Sequence, residues 1–203
     1  LWNTRIYYNI RIPFTISERK EMSKSRIPRT KIESRIEERI HSLGGNSLHI
    51  YQILAHHPTL LAGWVEFAYC IRKDCQTSRS LREIMILRSA QLVHSDYEWQ
   101  QHYKMAKDAG VTDEQINHLE NWRSSSLFSP QEKLAIELME SILVGKVSDE
   151  LAARILQVFT KKEYIELVLT GSFYTMVPRV LDCLQVPLEE NSAGTPDPRG
   201  GVL

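Results

Sequence analysis

Glu83, Ser95, Glu98 and His102 are the residues whose types and spacing suit acid–base chemistry in this chain. Ser95, Glu98 and His102 fall at i, i+3 and i+7, which places all three on one face of a helix. Ala106 and Ala109 continue that face, and their small side chains let a neighbouring helix approach closely. Glu83 lies twelve residues before Ser95, at the start of a preceding apolar segment. Two carboxyl groups and an imidazole meeting at the mouth of a helical bundle can move a proton. Imidazole works near neutral pH, and partial burial raises a carboxyl toward it. Local structure also accounts for these residues. Glu83 fits a capping box opened by Ser80, and Glu98 fits one opened by Ser95. Glu98 and His102 alone match a solvated helix pair worth about 0.3–0.5 kcal/mol. The candidate catalytic residues are Glu83, Glu98 and His102, with Ser95, Tyr97 and Trp99 as candidate walls of a substrate pocket.

The elements that must position these groups are helices. Between Thr30 and Pro187 the sequence reads as consecutive helices with short breaks, and strand-like alternation is almost absent. Ile32, Ile36 and Ile40 repeat every four residues and stop at Gly44-Gly45, and Pro58 suits the first turn of the next helix. Capping boxes are expected at Ser80…Glu83, Ser95…Glu98, Thr112…Gln115, Ser129…Glu132 and Thr160…Glu163. Gly110 supplies the left-handed residue after a helix ending near Ala109. The segments 81–93 and 164–184 are apolar nearly all round, which implies central buried helices. Pro178 is expected to kink or interrupt the second. The fold class is all-α, a multi-helix bundle. A faint echo between Leu81-Arg-Glu-Ile-Met-Ile-Leu87 and Tyr164-Ile-Glu-Leu-Val-Leu-Thr170 suggests a weak internal helical repeat.

The same residues resemble a known site. In alkyl hydroperoxidase D and carboxymuconolactone decarboxylase relatives, a glutamate is followed twelve residues on by Cys-x-x-Cys and then x-x-x-His. Here Glu83, Ser95, Glu98 and His102 take those four places, so the spacing is kept while both thiols are gone. His57-Pro58 through Trp64 resembles the family's His-Pro-x-Leu…Trp segment, and Tyr97-Glu98-Trp99-Gln-Gln-His102 its thiol-free Tyr-Glu-Trp-x-x-His variant. Met176-Val-Pro-Arg179 through Val186 resembles its closing helix. The resemblance implies an AhpD-like bundle over 22–188 that assembles as a homo-oligomer, a trimer or hexamer.

A cysteine pair at a helix start works because the helix end lowers a thiol's pKa, after which the thiolate attacks peroxide and its partner resolves the product. Ser95 and Glu98 can do neither. What remains is an acid–base set, pointing to cofactor-free lyase or isomerase chemistry on a small organic acid or lactone. The alternatives are a non-catalytic helical oligomer whose old site has decayed to capping, and, last, a peroxidase using other cysteines. The enzyme reading predicts a pocket of about a few hundred Å3; the decayed-site reading predicts none.

Composition bounds the rest. Of 203 residues, 42% are hydrophobic, and Lys+Arg and Asp+Glu number 25 each, so net charge is zero. That balance argues against a nucleic-acid partner, and no apolar run is long enough to span a membrane. No metal-ligand spacing or phosphate loop occurs, so no metal and no cofactor is expected. Cys70, Cys75 and Cys183 are read as reduced thiols of a cytoplasmic protein, with Cys70 and Cys75 on different faces of one helix and Cys70 and Cys183 filling the core. Residues 1–21 are read as an extension upstream of Met22, and 189–203 as a loose tail.

Overall fold

The computed structural model describes residues 25–190, so the 1–21 extension and most of the 189–203 tail lie outside the described residues. The described chain is a bundle of nine α-helices: α1 (Ser34–Ser42), α2 (His49–Leu54), α3 (Pro58–Lys73), α4 (Arg79–Val93), α5 (Asp96–Asp108), α6 (Asp113–Asn117), α7 (Pro130–Val144), α8 (Asp149–Leu156) and α9 (Lys161–Leu184). The all-α expectation holds.

Helix starts follow local chemistry. Thr112, Ser129 and Thr160 each cap a helix reciprocally with Gln115, Glu132 and Glu163, which satisfies two otherwise orphaned N–H groups at each site. Pro58 and Pro130 stand in the first turns of α3 and α7, where a missing N–H costs nothing. Gly110, at φ +95°, takes the left-handed conformation expected after α5.

Two expected boxes are absent in full form. Ser78, not Ser80, caps α4 by accepting the Leu81 N–H at 3.2 Å. The helix therefore starts two residues earlier relative to Glu83, about half a turn, and the Glu83 side chain turns into the protein instead of back to the cap. Ser95 accepts the Glu98 N–H at 3.5 Å, but the Glu98 carboxyl does not return to the backbone of Ser95.

α4 is the axis of the bundle. It packs against α5, α7 and α9, and its side chains feed three apolar clusters. Ile86 joins residues of α1, α2, α3 and α9. Ile84, Leu87 and Ala90 join Trp99, Ala106 and Ile136. Leu81 and Met85 join α7, α8 and Leu167. A helix buried on every side explains its near-continuous apolar sequence, and each fully buried Leu or Ile contributes about 1.5–3 kcal/mol.

α9 runs unbroken from Lys161 to Leu184 with Pro178 inside it, so the expected interruption does not occur. Proline removes the N–H that would reach the carbonyl four residues back, here that of Tyr174. The Ser89 hydroxyl on α4 donates to that carbonyl at 3.0 Å and replaces the lost bond. α4 and α9, the two segments of the sequence echo, also meet through Glu166. Its carboxylate, at a helical position rather than a helix start, accepts the Gln76 and Thr77 N–H groups at 2.9 Å each and fixes the loop entering α4.

The cysteines depart from expectation. Cys70 and Cys183 are exposed rather than core-filling. Cys75 lies beyond the end of α3, so it shares no helix with Cys70; its Sγ sits 3.8 Å from the Cys70 carbonyl oxygen. Among the described residues no helix is long and apolar enough to cross a membrane, and no group of three or more His, Cys, Asp or Glu is arranged to hold a metal ion.

Candidate active site

Glu83 projects from the second turn of α4 and His102 from the middle of α5, and the two helices press them together. His102 Nδ1 lies 2.7 Å from Glu83 Oε2, with both side chains almost wholly removed from solvent. The other Glu83 oxygen pairs with the Arg79 guanidinium one turn earlier on α4. One turn before His102, Glu98 Oε2 stands 3.7 Å from His102 Nε2, beyond hydrogen-bond range, and makes no hydrogen bond. Tyr174 from α9 packs edge-on against the imidazole at 4.8 Å between ring centres.

The two carboxyl groups are driven in opposite directions. Burial alone would raise the Glu83 carboxyl, but His102, Arg79 and Arg72 together hold it below the ordinary carboxylate range. Burial pushes the Glu98 carboxyl up, outweighing the attraction of His102 and Arg72. An ionised Glu83 only accepts hydrogen bonds. The His102 proton that meets it must therefore sit on Nδ1, which leaves Nε2 facing Glu98. Burial also pushes the Tyr174 hydroxyl up to about 12, so it stays protonated.

A cavity borders His102 and Glu98. It is lined by Glu98, His102, Tyr97, Arg72 and Tyr174 on its polar side, with Trp64, Phe173 and Val177 among its apolar walls. Its enclosed volume is about 30 Å3, room for about one or two waters and far below the few hundred Å3 expected. Large side chains account for the difference, since Trp64, Tyr97, Phe173 and Tyr174 all crowd the space.

Of the residues singled out from sequence, Glu83, Glu98, His102 and Tyr97 are brought together. Glu83 forms the rear of the site behind His102, and Tyr97 is a wall whose hydroxyl donates to Glu189 at 2.5 Å. Ser95 caps α5, and Trp99 packs with Leu87 and Ile136 in another cluster; neither lines the cavity. Sequence reasoning missed Arg72 and Tyr174. Arg72 stands beside Lys73 in the last turn of α3, where a basic residue is ordinary helix-end chemistry, and Tyr174 lies ninety-one residues from Glu83 with no local pattern to connect them. None of the three cysteines lines the cavity.

This architecture defines an AhpD-like helical protein, and comparison with known proteins agrees. Residues 58–141 match the carboxymuconolactone decarboxylase family. The uncharacterized protein YdfG of Bacillus subtilis (strain 168) is 31% identical over 100 residues, covering 48% of this chain and 68% of its own. The chain belongs to the carboxymuconolactone decarboxylase family. Its fold is similar to the alkylhydroperoxidase AhpD core of a peroxidase-related protein from Ralstonia eutropha JMP134 (TM-score 0.68, 13% identity, 82% of this chain and 93% of that one). It is also similar to the debrominase Bmp8 (TM-score 0.64, 12% identity, 92% of both chains). At such identities the likeness is one of fold.

Proposed function

We propose that this chain is a thiol-free, Tyr-Glu-Trp-x-x-His member of its family that catalyses cofactor-free proton transfer on a small organic acid or lactone, as a lyase or isomerase. The observation that carries the reading is the Glu83–His102 contact at 2.7 Å, with Nε2 turned toward Glu98 and both His102 and Glu98 lining the cavity. Ionised Glu83 fixes the imidazole tautomer and stabilises the imidazolium formed when Nε2 takes a proton. In an isomerase step, Nε2 removes a proton from the carbon next to a carbonyl. The electron pair moves to the carbonyl oxygen, and the imidazolium returns the proton at a second carbon. In a lyase step, loss of CO2 leaves the electron pair on carbon, and Glu98 supplies the proton that quenches it. Glu98, one turn before His102 and disfavoured by burial from ionising, suits the role of acid in that step.

The competing reading, a non-catalytic helical oligomer, draws support from the small cavity. Against it, Glu83 caps no backbone group and is instead buried against two partners, an arrangement that helix capping does not need. The proposal includes assembly as a cytoplasmic homo-oligomer. Leu60, Ile165, Leu169 and Met176 are apolar and exposed on α3 and α9, and three unpaired thiols suit a reducing compartment. The test is a conversion screen of lactones and small carboxylic acids with wild type, Glu83→Gln and His102→Ala. Conversion that both substitutions reduce by about 100-fold or more supports the reading; conversion that neither alters contradicts it.

A further inference from the structure

Arg72 stands out once the charges of the site are balanced. Glu83 is matched by Arg79, and burial disfavours ionisation of Glu98. Arg72 lines the same cavity, yet it has no ion pair among the described residues. Its Nε donates to the Tyr174 hydroxyl oxygen at 3.4 Å, and its planar group lies 5.1 Å from the centre of the Tyr69 ring. The Arg72 carbonyl accepts from Arg79 and Arg82 at 3.2 Å each, which pins the backbone end of the residue. Glu189, which the Tyr97 hydroxyl reaches, is engaged elsewhere by the His49 N–H at 2.8 Å. The cavity therefore holds a guanidinium that feels the charge of Glu83 but has no ion-pair partner among the described residues, and the Tyr174 hydroxyl beside it accepts from Arg72 and keeps its own proton to donate. Glu98 Oε2, nine-tenths or more buried and without a hydrogen bond, borders the same space.

We infer that Arg72 and Tyr174 form the anion-binding end of the cavity, and that the molecule bound there carries one carboxylate. A carboxylate accepts two guanidinium N–H groups side by side, and the Tyr174 hydroxyl adds a third donor. The carboxylate alone fills the cavity of about 30 Å3, so the molecule's next carbon comes to face Glu98 and His102 where the apolar wall of Trp64, Phe173 and Val177 gives way. One negative charge neutralises the site, while a second meets the ionised Glu83 behind His102, so the preference is for monoanions. This assignment rests on the proposed acid–base reading for its chemistry, but not for binding itself.

The test is binding of propionate, followed by NMR through the amide signals of Tyr97, Gln101 and His102 in the labelled full chain. Propionamide, the uncharged isostere, is the control. The expected result is a saturable shift with propionate, no saturation with propionamide in the same range, and affinity at least tenfold weaker in Arg72→Gln. Arg72→Lys keeps the charge without the planar fork and should weaken binding less; it also serves if Arg72→Gln does not fold. Equal binding of propionate and propionamide, no saturable shift in wild type, or full affinity in folded Arg72→Gln overturns the assignment. Binding that depends on Arg72 without any turnover leaves the assignment standing and removes the acid–base reading. Turnover whose KM is unchanged in Arg72→Gln does the reverse.

Discussion

The Ser89 hydroxyl on α4 donates at 3.0 Å to the Tyr174 carbonyl on α9, the carbonyl that Pro178 leaves without its helical partner. The bond ties the two central helices together directly behind the ring that packs against His102. A helix defect that would be costly alone is thus absorbed by a side chain from the neighbouring helix, and the repair fixes a wall of the candidate site.

Ser89→Ala should lower stability by about 1–2 kcal/mol, because a buried carbonyl loses its donor. In a Pro178→Ala background residue 178 regains an N–H that can serve the same carbonyl, so the cost of Ser89→Ala should shrink to about 0.5 kcal/mol or less. Denaturant unfolding of the four proteins of this cycle checks it. Equal costs in both backgrounds would separate the serine from the proline.

Glu83→Gln should be the most damaging isosteric change in the site. It removes the acceptor charge shared by His102 and Arg79 while leaving both partners in place, a loss of about 3 kcal/mol for a buried pair. The ionised Glu83 also sets a pH dependence. Its folded-state value lies below the ordinary 4.5, so its stabilisation is present above that value and is lost as pH falls through the depressed one. Acid unfolding monitored by circular dichroism should show wild type losing stability toward low pH more steeply than Glu83→Gln.

Glu98 predicts the opposite sign. Its folded-state value lies above the ordinary 4.5, so between the two the folded protein binds more protons than the unfolded chain. Stability is then full below 4.5 and falls as pH rises through the raised value. Glu98→Gln keeps the neutral shape at every pH. It should match wild type in acid, exceed it in Tm at neutral to mildly alkaline pH, and abolish turnover. A Glu98→Gln protein less stable than wild type at pH 8 would mean that the carboxylate is ionised and paired.

A peroxide-consumption assay with a thiol reductant should show no turnover above background. Ser95 and Glu98 stand at the two positions that the sequence resemblance assigns to thiols, and Cys70, Cys75 and Cys183 do not line the cavity. Partial desolvation and nearby carboxylates, Asp74 and Glu66 at Cys70 and Glu166 and Asp74 at Cys75, raise both thiols, which disfavours the reactive thiolate. Turnover that His102→Ala abolishes would return attention to those cysteines.

Much of this arrangement was legible in the sequence because it is written in local chemistry. Helix starts at Thr112, Ser129 and Thr160 follow from a residue and its partner three places on, and the buried axis α4 follows from its composition. The convergence of Glu83, Glu98 and His102 was legible from helical spacing joined to the family resemblance. What was not legible depended on long-range packing. A two-residue difference in the start of α4 turned Glu83 from cap to core, Ser89 compensated Pro178 from another helix, and Cys70 and Cys183 faced outward although their helices are apolar. Arg72 and Tyr174 reach the site from α3 and α9, and no short-range pattern links them to His102.

The most direct test of the central claim is deuterium uptake in D2O by a panel of small monocarboxylic acids and lactones, read by NMR. Wild type should exchange a carbon-bound proton in at least one member, a Cys70→Ser/Cys75→Ser/Cys183→Ser triple variant should match it, and His102→Ala should reduce exchange by about 100-fold or more. Exchange that survives loss of His102, or that depends on the cysteines, would contradict a proton-transfer site built on Glu83, Glu98 and His102.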